Sequence, residues 1–117
     1  MAKSNISDQR VNVISEKVVE AAKNVLGDNL SGIYLFGSYA RGDFDAESDV
    51  DFLVVADVPQ ERAGEERRNI REKLPLIDLE YDLPVSLHVT GREIFEQYSN
   101  TLPFYMNVLN EGVELYV

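Results

Sequence analysis

Gly37-Ser38 and Asp49-Val50-Asp51 are the residues of this chain whose types and spacing best suit chemistry. Glycine lets a backbone come close to a phosphate. A serine hydroxyl and successive N–H groups can then donate to the phosphate oxygens. The two aspartates fall at i and i+2 of a predicted strand, so their carboxylates share one face. Like charges that close are costly unless a cation sits between them. Mg²⁺ suits that place, because it takes one or two carboxylates and completes its shell with substrate phosphate oxygens and waters. Either half alone reads as an ordinary turn or a solvated strand end. Together, with ten residues between Ser38 and Asp49 and apolar runs on both sides (Gly32 to Phe36, Phe52 to Val55), they suggest an enzyme that handles a metal-bound nucleoside triphosphate.

The spacer contributes further candidates. Arg41 can bind a phosphate with its fork of donors, or pair with Asp43, Asp45 or Glu47; both readings stand. Ser48 is a second candidate contact to the nucleotide, and its local role is to orient Asp49 by a hydrogen bond. Acids at 43, 45, 47, 49 and 51 raise the question of an EF-hand calcium loop. That loop needs glycine at its sixth place and an acid at its twelfth. Counted from Asp43, those places hold Ser48 and Val54, which rejects it. His88, the one histidine, is expected on a strand as a packing residue. Arg67, Arg68, Arg71 and Lys73 form a solvated helix face and the most basic patch available to an anionic ligand. The aromatics Phe95, Tyr98, Phe104, Tyr105 and Tyr116 are expected mostly in the core, with some free for an interface.

These residues need elements to hold them. Val11, Ile14, Val18, Ala21 or Ala22, and Val25 repeat at helical steps, predicting a helix over 7–26 with Ser7 as N-cap and Gly27 at its end. Strands are predicted at about Gly32–Phe36, Val50–Val55 and Pro84–Val89, the first two apolar on both faces and so part of a covered sheet. A second helix starts near Gln60 after Pro59. Ile70, Leu74, Ile77 and Tyr81 keep the helical step across Pro75, which predicts a kink there. Helices over Gly91–Tyr98 and Pro103–Asn110, Gly112 as a cap, and an edge strand over Val113–Val117 complete the chain. The fold class is α+β, a small mixed sheet packed by helices, in one domain spanning 1–117.

Composition narrows the function. The formal net charge is −10, which argues against direct nucleic-acid binding, since that depends on Lys and Arg neutralising phosphates. An acidic surface favours a basic protein partner. There is no cysteine, hence no disulfide and no thiolate metal site. No apolar stretch is long enough for a membrane span and the first residues lack a secretory core, so a cytoplasmic protein is expected.

The string GSYARGDFDAESDVDFLVV resembles the signature of the nucleotidyltransferase superfamily related to DNA polymerase beta. It is similar in particular to the minimal nucleotidyltransferases, small partners of HEPN-domain proteins. Gly37, Ser38, Asp49 and Asp51 match the motif, as do the ARG after Ser38 and the SD before Val50. Pro103-Phe104, Asn107-Val108, Glu111-Gly112-Val113 and Leu115-Tyr116 are similar to the tail of that group. The resemblance implies the polymerase-beta-like palm fold, a Gly-Ser loop holding the triphosphate of ATP, and Mg²⁺ on Asp49 and Asp51. It also implies transfer of AMP to a hydroxyl of a HEPN toxin, with release of pyrophosphate. Many active members of the family carry a third carboxylate on the strand after the second helix. Here that position falls on Ser86, and Asp82, the nearest candidate, lies roughly 13 Å back along an extended chain. A missing third acid weakens activation of the attacking hydroxyl more than nucleotide binding.

Two alternatives remain beside a protein-directed transferase. One is a nucleotide-binding antitoxin module that neutralises its partner by contact. The other is an aminoglycoside-type nucleotidyltransferase. A chain of 117 residues leaves no room for a separate acceptor domain, so the acceptor is expected on another chain or across a homodimer.

Overall fold

The computed structural model describes residues 8–116. Helix α1 spans Gln9–Leu26, and the Asp8 carboxylate accepts from the Arg10 N–H as its N-cap. The expected cap, Ser7, lies outside the described residues. The apolar stripe is buried as its spacing requires, with Val11, Ile14 and Val18 fully covered. Gly27 ends the helix at φ 55°, in the left-handed region.

The remaining elements follow in order: β1 (Leu30–Phe36), α2 (Ser38–Arg41), β2 (Val50–Ala56), α3 (Ala63–Glu72), α4 (Ile77–Tyr81), β3 (Val85–Gly91), α5 (Arg92–Tyr98), α6 (Pro103–Glu111) and β4 (Val113–Tyr116). Strand positions agree with the sequence reading to within two residues. Two local features differ. A short helix, α2, replaces the simple turn expected after Gly37. The helix expected to kink at Pro75 instead stops at Glu72 and restarts at Ile77, with Leu76 in a left-handed conformation at φ 62°. Proline removes a donor and disfavours helical backbone in the residue before it, which accounts for the break. Across the gap the Arg71 guanidinium pairs with Asp78, and the other Asp78 oxygen accepts from the Val85 N–H. One carboxylate therefore ties α3, α4 and the start of β3 together.

The sheet runs β3-β2-β1-β4. β1 is antiparallel to β2 and β4, whereas β2 and β3 are parallel. The parallel pair needs a crossover, which α3 and α4 provide. Alternation along β2 divides the core. Val50, Phe52, Val54 and Ala56 meet α1, α3 and α4, while Leu53 and Val55 meet Phe95 of α5 and Val108 of α6. Both faces are covered, as the unbroken apolar runs require, and the architecture is the expected α+β fold with a small mixed sheet. Among the described residues no helix is long and apolar enough to cross a membrane.

Candidate active site

Antiparallel pairing brings the end of β1 against the start of β2, with Phe36 opposite Asp51. The chain then turns at Gly37, whose φ of 81° favours glycine. Space also requires glycine here: a Cβ at position 37 would collide with the Asp51 carboxylate. The small-residue turn and the second aspartate are thus in van der Waals contact. Ser38 opens α2, and Gly42, at φ 92°, closes it. Tyr39 stacks on Phe44 with ring centroids 4.3 Å apart, which holds the beginning of the loop against the core.

Asp49 is exposed immediately before β2, and Asp51 is half-buried inside it, at the same parity. Burial, then the charge of Asp49, pushes the Asp51 carboxyl up to about 6, with Arg41 opposing weakly. Two hard oxygen donors that resist sharing negative charge are a fitting donor set for Mg²⁺. Among the described residues no group of three or more acidic, histidine or cysteine side chains could hold a metal alone. The pair therefore fits an ion whose remaining ligands come from phosphate and water.

The other sequence-derived candidates separate here. The Arg41 guanidinium pairs with Asp43 at 3.2 Å and with Glu111 of α6 at 3.3 Å, an exposed network that ties α2 to α6. Ser48 does not hydrogen-bond Asp49. Its hydroxyl donates to the Asp45 carboxylate at 3.2 Å and accepts from the Asp45 N–H at 3.0 Å, closing the loop on itself. Asp82 is exposed in a left-handed conformation at the end of α4, before β3 begins, and its charge acts on Arg10. It is not on the Asp51 row. Ser86 is: parallel pairing sets Ser86 directly beside Asp51.

One neighbour went unread in the sequence. His88 is expected as a packing residue, yet it is exposed, and its Nε2 lies 3.3 Å from the Ser86 hydroxyl. Its ring sits 5.7 Å from both Phe36 and Phe104, centroid to centroid. Partial burial, then the charge of Arg67, holds its pKa below the ordinary imidazole value. The signal was there: positions 86 and 88 share a strand face, so whatever lies beside Ser86 lies near Asp51.

The nucleotidyltransferase domain family matches residues 15–115. This chain is a nucleotidyltransferase-family protein. Two relatives from Methanocaldococcus jannaschii are similar over most of their length. "Putative protein adenylyltransferase MJ0604" is 35% identical over 101 residues, 86% of this chain and 93% of the relative. "Putative protein adenylyltransferase MJ0141" is 37% identical over 91 residues, 78% and 84% of the two chains. Among solved structures, a toxin–antitoxin crystallised with AMP-PNP superposes with a TM-score of 0.58 at 23% identity, covering 87% of this chain and 72% of that one. A nucleotidyltransferase-like protein of Sulfolobus solfataricus gives 0.56 at 21% identity, covering 97% and 89%. These structural likenesses establish the nucleotidyltransferase fold.

Proposed function

We propose that this nucleotidyltransferase transfers AMP from ATP to a hydroxyl of a partner protein, a HEPN toxin being the expected acceptor. The contact between Gly37 and the Asp51 carboxylate carries the reading, because it sets a glycine turn directly against the second aspartate of the motif. The names of the archaeal relatives support a protein acceptor. A toxin–antitoxin structure with AMP-PNP among the fold's neighbours supports a nucleotide and a partner chain.

In this reading the Ser38 hydroxyl and the turn's N–H groups hold the triphosphate. Asp49 and Asp51 would hold Mg²⁺, which would supply stabilisation of the charge on the transferring phosphoryl group. Arg41, already balanced between Asp43 and Glu111, exchanges one partner for a phosphate oxygen. Ser48 keeps the loop closed and leaves Asp49 free to ligate.

The test is α-labelled ATP with Mg²⁺, purified protein and the partner. Label should reach the partner with wild type and not with folded Asp51→Asn. A partner neutralised without gaining label supports the second reading, a contact-only antitoxin, which the hydroxyl of Ser86 beside Asp51 favours.

A further inference from the structure

We infer that Ser86 and His88 together take up the proton of the acceptor hydroxyl, with His88 as the final proton acceptor. This rests on the transferase reading above and extends it to a pair of residues that the reading does not use.

Three observations carry the inference. Ser86 stands beside Asp51 in the parallel register, next to the carboxylate on which the proposed reading places the reaction. The Ser86 hydroxyl is 3.3 Å from His88 Nε2, within reach for proton transfer. The His88 ring is fixed by Phe36 on one strand and Phe104 on α6, yet remains exposed and so able to exchange its proton with solvent.

The acceptor oxygen forms a bond to the α-phosphorus, and the bond from that phosphorus to the bridging oxygen breaks. Pyrophosphate leaves with that electron pair. As the acceptor oxygen loses its proton to Ser86 Oγ, Ser86 passes its own to His88 Nε2. This needs the tautomer with Nδ1 protonated and Nε2 free. The groups facing the ring favour a neutral imidazole. Arg67 of α3 supplies the charge that opposes protonation, β1 and α6 present uncharged Phe36 and Phe104, and Asp51 lies two residue pairs away along β2.

The chain has a single histidine, so its imidazole resonances are unambiguous. The experiment combines their NMR titration with AMP transfer to the partner across pH. Binding of a non-hydrolysable Mg²⁺–ATP analogue should shift the His88 resonances. His88→Gln should lose about 10²-fold in transfer rate, the size of a general-base contribution, while analogue binding changes less than about twofold. Adding Ser86→Asp to His88→Gln should restore transfer and move the acid limb of the pH profile to lower pH, because a carboxylate then receives the proton. His88→Gln transferring at the wild-type rate with an unchanged profile overturns the inference and leaves the transferase standing. So does adenylate found on Ser86 itself, since the serine is then acceptor rather than relay. A wild-type protein that transfers nothing overturns the transferase reading and this inference with it.

Discussion

Among the described residues Asp51 combines a large perturbation with a close approach of the Gly37 turn. Its carboxyl, raised to about 6, holds a proton in the folded metal-free protein that the unfolded chain has released. Stability from this group is therefore lost as pH rises from about 4 to about 6, and the deficit is complete above that. Asp51→Asn should stabilise the metal-free protein by about 1 kcal/mol at pH 8, allowing for solvent screening, with no gain near pH 3. Thermal unfolding at the two pH values measures it. Metal requires the ionised carboxylate, so Mg²⁺ affinity should fall below pH 6, which titration calorimetry would report. Gly37→Ala should cost more than a usual glycine substitution, because the methyl group meets the carboxylate and the backbone is left-handed. We expect about 2 kcal/mol in stability and a large loss of nucleotide binding. The meeting of the Gly37 turn with Asp51 is legible in the spacing because the two motifs flank strands that pair with each other. Ser48 was misread because its hydroxyl has a closer partner in Asp45. His88 packs on Phe36 and Phe104 as expected, but its exposure and its place two pairs from Asp51 depend on a parallel pairing that local sequence does not reveal.

Among the elements, the strands and α1 were legible because long apolar runs and a clean helical stripe leave few alternatives. The break between α3 and α4 was not. Ile70, Leu74 and Ile77 are all buried, so the hydrophobic phase survives an interruption of the backbone, and periodicity alone cannot distinguish a bent helix from two helices. What replaces helical continuity is Asp78, which bonds both Arg71 and the Val85 N–H. Asp78→Ala should destabilise the fold by about 2 kcal/mol, since it leaves a buried strand's N–H and a partly buried guanidinium without that partner. Hydrogen exchange should localise the loosening to the start of β3. Ser86 follows Val85 directly, so transfer should fall as well.

At the scale of the molecule, the face that holds Asp51 continues onto α6. There Leu102, Met106 and Leu109 are exposed at four- and three-residue steps, beside the exposed Phe104. If the partner protein docks on this face, it covers this ridge. Met106→Asp should weaken capture of the protein acceptor about tenfold, read as a raised KM, without altering Mg²⁺–ATP binding. A net charge of −10 adds that association with a basic partner should slow as salt is raised.

The pairing of Phe36 with Asp51 has a consequence for how such proteins are found. The distance from the glycine turn to the carboxylate is set by strand register and by atoms in contact, not by the length of the intervening loop. Residues 42–49 bulge outward from that junction, and most of them are exposed. An insertion there lengthens the excursion while both ends stay where the ladder puts them. The count of ten, by which the motif is detected, is thus a property of the loop and not of the junction. A relative with fourteen could assemble the same junction and escape any search that counts.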